Sequence, residues 1–440
     1  MIPQSKKPLN NEEDIICKLP NELLTKILSL LPESDANRTR ILSKRWKSLY
    51  ALLPNVHLVM PFCWSFEQAN KFHDFVDQTL AIRGNMAVEK FFLYCSKNCD
   101  YGRVYDLICA VVRCKVRVIE LRFPADRYRV KFCWDLFKTC NTLVELTLKG
   151  EFVLDVPGDN LLFPFLKKLD LVSIVYACDQ SATNLISGCP VLEELFVERQ
   201  VIGRSDYLQR LNICSASLKR LRLSFAMCVS GDYEVVIDAP KLEYVNVLDV
   251  MLTYYYLTKP LCLNEAHIKI QATSDSESVT QFVTSISSVK ILTLTDSTLM
   301  ALCYIPDMPV FPNLVKFAIG NYNVLWGWST LPRLLENMPN LEHITFLHGL
   351  LPFPHTQHSF DMRWNPPVEV PTCLRLKMKE IIIKNRETIT QEEFTLLKYL
   401  LKQCKNLEIL IINAHKIDHK RRDRLLNFPR GSNVCCIKLV

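Results

Sequence analysis

The chain has 440 residues, of which 49% are hydrophobic and 22% charged, so it has ample material for a core and is not mostly disordered. Its 53 basic and 46 acidic side chains are interspersed and leave a formal charge of +7, which is too modest to require a nucleic-acid or membrane partner. Without an apolar run of about 18 residues or a signal-peptide core, we expect a cytoplasmic or nuclear protein whose 18 cysteines are thiols.

Helical periodicity begins after residues 1–13, which we expect to be a flexible N-terminus. In the stretch LPNELLTKILSLLP, Pro20 is placed as the first helical residue, and apolar residues cover more than half of the helix circumference that follows: Leu23, Leu24, Ile27, Leu28, Leu30 and Leu31. Pro32 ends this helix. A later segment is apolar on one side, at Ile41, Leu42, Trp46 and Leu49, and basic on the other, at Arg38, Arg40, Lys44, Arg45 and Lys47.

One side of the first helix can pack on the later segment, while its other side stays apolar and exposed to water. Such a surface is typical of a docking module. The alternative is a cap that seals the first of the repeats described below.

This stretch, from Leu19 to Leu49, resembles the F-box in its plant form, with Asn37 and Arg40 as departures from the usual pattern. The resemblance implies that residues 14–54 bind a Skp-type adaptor and, through it, a cullin scaffold. The residues expected to serve adaptor binding are Leu19, Pro20, Leu23, Leu24, Ile27, Leu28, Leu31, Pro32, Ile41, Leu42 and Trp46.

A six-residue phrase, apolar-x-x-apolar-x-apolar, recurs from Val88 at a spacing of about 23–30 residues, which is in the range of leucine-rich repeats, with one longer step before Met378. Copies begin at Val88, Val118, Leu143, Leu166, Leu192, Leu218, Leu242, Val289, Leu314, Leu341, Met378, Leu407 and Val434, with a degraded copy near Glu265. The fourth and sixth residues share one face of a short strand, so stacked copies form a parallel sheet.

The segments between phrases look partly helical, as in QSATNLISGC, STLPRLLENM and TQEEFTLLKYLLKQC, where Thr390 is a plausible N-cap. The Asn or Cys position that follows the strand in regular repeats is occupied by other residues, namely Glu151, Ile174, Gln200 and Ala226. The predicted fold class is therefore α/β: a small all-α N-terminal module followed by an irregular, horseshoe-like leucine-rich-repeat solenoid.

The phrases SGCPVLEELFV and VVIDAPKLEYV resemble the repeats of plant F-box/leucine-rich-repeat proteins, and the C-terminal region resembles the FBD domain. The usual glycine before the acidic run is absent at Arg386-Glu387-Thr388. These likenesses give a linker with a capping helix at 55–87, repeats at 88–347, an insertion loop at 348–370 and an FBD-like end at 371–440. They span nearly the whole chain, which we expect to be complete.

The resemblance implies a non-catalytic subunit that recognises the substrate of a Skp-cullin-F-box ubiquitin ligase, with no cofactor or metal. An alternative is a Skp-bound scaffold without a role in ubiquitin transfer. An enzyme and a nucleic-acid binder are disfavoured, because the one histidine cluster, His348–His358, falls in the predicted insertion and the basic run His419–Arg424 lacks interleaved aromatics.

Target recognition is expected on the strand side of the repeats, where the second, third and fifth residues of each phrase are exposed. The residues of this candidate site are Phe196, Arg220, Arg222 and Tyr244, since aromatic and arginine side chains are favoured at interfaces. The alternating acidic and basic residues around them could instead pair across neighbouring strands and keep the sheet soluble.

Overall fold

The computed structural model describes residues 16–60, 65–84, 86–96, 99–124, 130–131, 134–150, 152–158, 162–199, 208–226, 233–250, 253–258, 263–270, 276–303, 305, 307–320, 330–350, 364–386, 389–414 and 419–440. The predicted flexible N-terminus and most of the predicted insertion loop lie outside these residues. The chain forms two compact units: unit 1 holds residues 1–126 and 139–146, and unit 2 holds residues 127–138 and 147–440.

Unit 1 opens with three short helices, α1 (Asn21–Leu30), α2 (Glu33–Arg38) and α3 (Lys44–Ala51), with 3₁₀ turns at Ile16–Lys18 and Thr39–Ile41. Pro20 takes the extended N-cap position of α1, so the helix begins one residue later than the sequence suggests. The Ser43 hydroxyl caps α3 by accepting a hydrogen bond from the Trp46 amide.

The remainder of unit 1 alternates strands and helices: β1 (Asn55–Val59), α4 (Phe66–Arg83), β2 (Lys90–Tyr94), α5 (Tyr101–Arg113) and β3 (Val118–Arg122). The three strands pair in parallel in chain order. Strand β1 lies within the segment expected to be a linker. The stretch LPNVHL carries the repeat phrase there, and its Leu53, Val56 and Leu58 are buried, so the repeats start one copy earlier than the sequence reading placed them.

Unit 2 is built almost entirely of parallel strands and short return helices. In chain order its elements, with β5 at the division between the units, are β4 (Val130–Lys131), a 3₁₀ segment (Trp134–Thr139), β5 (Glu145–Lys149), β6 (Phe152–Leu154), β7 (Lys168–Val172), β8 (Val175–Tyr176), α6 (Asp179–Ser187), β9 (Glu194–Arg199), β10 (Arg210–Cys214), β11 (Arg220–Phe225), β12 (Tyr233–Asp238), β13 (Tyr244–Asp249), β14 (Thr253–Leu257), β15 (Glu265–Ile270), α7 (Ser276–Ser285), β16 (Ile291–Thr295), α8 (Asp296–Cys303), β17 (Lys316–Gly320), α9 (Thr330–Glu336), β18 (His343–Phe346), α10 (Thr372–Leu376), β19 (Glu380–Arg386), α11 (Gln391–Gln403), β20 (Ile409–Ala414), α12 (His419–Leu426) and β21 (Cys436–Leu439).

From the copy at Leu166 onward, one strand from each repeat phrase joins the main sheet of unit 2, whose order is β7-β9-β11-β13-β15-β16-β17-β18-β19-β20-β21. All of these neighbours pair in parallel. The degraded copy near Glu265 forms β15. The architecture is thus the predicted α/β stack of parallel-strand repeats.

The return segments differ from the expectation of partial helix in two places. Strands β10, β12 and β14 form a second parallel sheet, and the short strands β4, β6 and β8 form a third. Their sequences alternate with period two, as in YEVVID and RLNIC, and their alternate residues are buried, including Val235 and Ile237. The predicted helical return segments do form α6, α9 and α11.

The core of the repeats is filled by the first, fourth and sixth residues of the phrase. The copy predicted to start at Val118 is wrong by two residues, because Val116, Ile119 and Leu121 are the fully buried positions there and Val118 is only half-buried. In the copy that starts at Leu166, Leu166, Leu169 and Leu171 are all fully buried, and every other copy in the main sheet up to β20 follows this pattern. The residues between them, on the other side of each strand, are left as a continuous surface of the sheet in unit 2. This surface is called the strand face below.

Candidate functional site

The helices of the N-terminal module pack around a small core of their own. It consists of Leu24, Leu28, Ala36, Trp46, Leu49, Tyr50 and Leu53, with Leu19 packed against it. Leu24 and Leu28 lie on the same side of α1 because they are four residues apart. The Arg45 guanidinium donates to the Asn21 side-chain oxygen at 2.8 Å and joins the start of α1 to α3.

The other side of the module is apolar and exposed to solvent. Seven of the chain's twenty exposed large hydrophobic side chains in the described residues lie in this short module: Ile16, Leu23, Ile27, Leu30, Leu31, Ile41 and Leu42. Their exposed fractions reach 78% at Leu30 and 87% at Ile41. Single exposed leucines need no explanation, but this concentration marks an interaction surface. We call these seven residues the docking face.

The residues expected to serve adaptor binding divide into two groups. Leu23, Ile27, Leu31, Ile41 and Leu42 belong to the docking face, and Pro20 and Pro32 are also exposed. By contrast, Leu24, Leu28 and Trp46 are buried in the module's own core, with Leu19 against it. On α1, neighbouring residues are rotated by about 100°, so Leu24 and Leu28 face inward where Leu23 and Ile27 face outward. These buried side chains cannot touch a partner while the module stays folded.

Arg40 departs from the exposed basic face that the sequence suggests. Its guanidinium lies 3.7 Å from the centre of the Phe75 ring on α4 and 5.3 Å from the Tyr50 ring, and burial lowers its pKa. A stacked arginine contributes about 0.5–2 kcal/mol, more as it is desolvated. Arg40, one of the two residues that depart from the usual F-box pattern, therefore joins the module to helix α4.

A second arginine strengthens this junction. Arg83, at the end of α4, is 2% exposed and donates to the carbonyl oxygens of Ala51 at 2.9 Å, of Leu53, and of Ala87 at 2.6 Å. Ala51 is the last residue of α3, where helical carbonyls lack partners, and Leu53 lies two residues beyond it. The module and the first strands of unit 1 thus form one body.

The predicted target-binding residues lie side by side on the strand face of unit 2. Phe196 on β9 is aligned with Arg222 on β11, and Arg220 on β11 is aligned with Tyr244 on β13. The Arg222 guanidinium stacks on the Phe196 ring at 4.9 Å, and the Arg220 guanidinium stacks on the Tyr244 ring at 4.5 Å. The rings are partly covered, so the face presents guanidinium edges rather than bare aromatic anchors.

Carboxylates on and beside this face are paired with basic side chains of neighbouring strands. Glu193 lies 3.0 Å from the Lys167 ammonium and 3.2 Å from that of Lys219, which hold the pKa of its carboxyl below the usual range. Burial raises the pKa of Asp170 despite the Lys168 ammonium at 3.7 Å. Charges on this face therefore pair across neighbouring strands, and target binding by the arginine and aromatic pairs stays a prediction.

Sequence reasoning missed two features of the strand face. His267 on β15 extends the cluster, with its ring 5.6 Å from that of Tyr244 and its Nε2 atom 2.7 Å from Glu265. Further along, the face also carries partly exposed apolar side chains, at Ile291, Ala318, Ile382, Ile409 and Ile411. Reading the exposed phrase positions beyond β13 would have found both.

Comparison with known proteins finds family matches in two parts of the chain. Residues 16–49 match the F-box domain model, and residues 113–272 match the model for the leucine-rich repeats of FBD-associated F-box protein At5g56370. The F-box/LRR-repeat protein At4g14096 of Arabidopsis thaliana is 31% identical, over 98% of this chain and 96% of the relative. The chain belongs to the F-box/LRR-repeat family. Another relative from the same plant, the putative F-box/FBD/LRR-repeat protein At3g59240, is 28% identical over 97% of this chain.

A helix cap and a close backbone contact stabilise the C-terminal part of this F-box/LRR-repeat protein, which resembles an FBD. Thr390 and Glu393 form a reciprocal capping box at the start of α11, as the sequence predicts for Thr390, and Glu393 is 1% exposed. Gly431 donates to the Leu401 carbonyl at 2.8 Å, and a Cβ atom there would lie 2.4 Å from the Lys402 oxygen. Only glycine allows this approach.

Three cysteines and one histidine of this F-box protein are buried in its core. Cys140, Cys189 and Cys404 are buried, and burial raises the pKa of Cys189 to about 12, which keeps its thiol protonated. His73 is 2% exposed and accepts a hydrogen bond from the Asp100 amide at 3.2 Å. No group of three or more His, Cys, Asp or Glu residues suited to a metal ion occurs in the described part of the chain.

No helix among the residues that the structure describes is both long and apolar enough to span a membrane. The basic run forms a short helix, His419–Leu426, in which Arg424 stacks on Phe394 at 4.9 Å. The part of the predicted insertion that holds His355 and His358 lies outside the described residues.

Proposed function

We propose that this protein is the substrate-recognition subunit of a Skp-cullin-F-box ubiquitin ligase. The proposal rests on the docking face. Its seven large apolar side chains are exposed to solvent in the folded F-box module and do not belong to the core of the described residues. Burying one such side chain contributes up to about 1.5–3 kcal/mol, part of which is lost to the entropy of association. A Skp-type adaptor would cover this face.

Within the module, the two groups of residues have different roles. Leu23, Ile27, Leu31, Ile41 and Leu42 contact the adaptor, together with Pro20 and Pro32. Leu24, Leu28 and Trp46, with Leu19 against them, keep the helices in place and act on binding only through the fold. The division into an F-box at 14–54, repeats at 88–347 and an FBD-like end at 371–440 is part of the same proposal.

The proposed mechanism is proximity. The F-box attaches the chain to the adaptor and its cullin scaffold, and the strand face holds a target, so that a target lysine has a high effective concentration near a ubiquitin-charged conjugating enzyme. No residue of this chain takes part in covalent chemistry. The proposed target contacts are Phe196, Arg220, Arg222 and Tyr244.

The test compares two isoleucines of nearly equal exposure. Ile27 on the docking face is 41% exposed, and Ile82 on α4 is 43% exposed. In the full chain, Ile27→Ser should reduce capture by an immobilised plant Skp-type adaptor at least about tenfold, since an apolar contact at the centre of an interface is lost. Ile82→Ser should leave capture unchanged, and both variants should keep the circular dichroism of the parent.

Equal capture of the two variants would refute the assignment of the docking face. The ubiquitin-ligase part is tested separately, by affinity purification with and without a proteasome inhibitor. A target that co-purifies only when the proteasome is inhibited supports transfer of ubiquitin. Partners that are stable under both conditions would favour the Skp-bound scaffold.

A further inference from the structure

Arg222 differs from the other basic side chains on its part of the strand face. It is exposed, it stacks on Phe196 at 4.9 Å, and it forms no ion pair or hydrogen bond with a carboxylate of the described residues. The guanidinium group has five N–H donors in a planar fork. The stacked ring engages its face and leaves the donor edge for another molecule.

The neighbouring cations are already engaged by carboxylates. Lys167 and Lys219 share Glu193, Lys168 pairs with Asp170 at 3.7 Å, and Arg220 lies 3.8 Å from Glu194 while it stacks on Tyr244. The His267 ring is hydrogen-bonded to Glu265 through its Nε2 atom. Arg222 is therefore the cation of this cluster that keeps its hydrogen-bonding capacity for a partner.

The surroundings of Arg222 fit one kind of anion better than another. A carboxylate accepts two parallel hydrogen bonds from one guanidinium fork. A phosphate group carries nearly two negative charges and is usually bound by several free cations. Here Glu194 and Glu198 lie on the strand next to Arg222, and their repulsion grows with the charge of the ligand. The balance favours a single carboxylate.

We propose that the strand face of β9, β11 and β13 binds an acidic peptide segment of the target, with one Asp or Glu carboxylate seated on Arg222. This inference rests on the proposed function, which places the target on the strand face. Stacking on Phe196 fixes the orientation of the fork before binding, so less conformational entropy is lost when the carboxylate is bound. Asn246, aligned with Arg222 on β13, places a polar side chain next to the seat.

The test uses the full chain, and the probe is a fluorescein-labelled Gln/Ala decapeptide with one central Glu. Fluorescence anisotropy should detect binding that the Gln/Ala peptide without Glu lacks and that weakens as salt is added. Arg222→Gln should weaken binding at least about tenfold. Phe196→Leu, which keeps the charge and removes the ring, should weaken it severalfold.

The matched control is Lys316→Gln, which removes an exposed positive charge from strand β17 of the same sheet and should leave binding unchanged. Three results would each overturn the inference. They are equal binding of the Gln/Ala peptide that lacks Glu, a loss of binding in Lys316→Gln equal to that in Arg222→Gln, and binding only when Glu is replaced by phosphoserine. Capture by the adaptor is scored on the same preparations. A failure of the F-box assignment would therefore appear separately from a failure of the acidic-peptide seat.

Discussion

Neighbouring residues of α1 have opposite roles although they have similar chemistry. Leu24 and Leu28 are 0% and 1% exposed, whereas Leu23 and Ile27, one position earlier, are 49% and 41% exposed. Leu23 and Leu24 are separated by a rotation of about 100° around the helix, and so are Ile27 and Leu28. Hydrophobicity identified all four as important, but only the packing of α3 against one side shows which of them are left for a partner.

Two carboxylates beside the strand face should respond to pH with opposite signs. Burial raises the pKa of Asp170 above its usual 3.8, so its ionised form destabilises the fold, and this cost appears as the pH rises through that raised pKa. Asp170→Asn should therefore melt at the same or a higher temperature than the parent at pH 7. The difference should shrink as the pH falls toward 4.

Glu193→Gln provides the comparison for this prediction. Lys167 and Lys219 hold the pKa of Glu193 below its usual 4.5, so its stabilisation is present at neutral pH and is lost as the pH falls through the lowered pKa. The Gln variant should melt at the same or a lower temperature than the parent at pH 7. A clearly lower melting temperature for Asp170→Asn at pH 7 would show that its pairing with Lys168 outweighs the cost of burial.

At the scale of elements, the repeat phrase predicted thirteen strands, plus β15 from its degraded copy, because three buried positions per copy leave a strong signal. Strand β1 carries the same phrase at Leu53, Val56 and Leu58. It directly follows the F-box, where the resemblance predicts a linker instead of a repeat. The sheets on the return side were missed for a physical reason. Short segments such as YEVVID become strands only when a neighbour supplies hydrogen bonds, and that neighbour is a whole repeat away.

The junction between the F-box helices and the first repeat depends on Arg83. Arg83→Met would leave the carbonyl oxygens of Ala51, Leu53 and Ala87 without their donor, and each buried unpaired carbonyl costs about 1–3 kcal/mol. We expect a loss of roughly 2–4 kcal/mol in the local stability of α3, measured by amide hydrogen exchange.

Lys71→Met is the control for the Arg83 prediction, since Lys71 lies on the same helix and its side chain is 73% exposed in a surface pair with Glu67. It should change the exchange of α3 by less than about 0.5 kcal/mol. Unchanged exchange in Arg83→Met would mean that water replaces the guanidinium and that the junction is held by apolar packing alone.

On the scale of the whole molecule, the position of the sites could be predicted better than their chemistry. The phrase told which residues of β9, β11 and β13 face solvent, because side chains alternate along a strand. It could not tell that Arg220 and Arg222 stack on Tyr244 and Phe196, since this depends on side-chain rotamers across strands. The same holds for Arg40, whose contact with Phe75 joins residues that are far apart in the sequence.

A chain built from stacked repeats should lose stability locally when one repeat is damaged, because each repeat contacts mainly its neighbours. Phe346 on β18 is 1% exposed and aligned with Ile319 on β17 and Ile383 on β19. Phe346→Ala should cost about 3–5 kcal/mol through the cavity it leaves. Amide exchange should accelerate most in β17, β18 and β19 and much less in β7, while the F-box helices and capture by the adaptor stay unchanged.

Thr345→Ala, the neighbouring residue on the strand face, should leave exchange nearly as it was. Equal acceleration in every strand of unit 2 would show that the unit unfolds as one cooperative body, and the repeats would then not be independent elements of stability.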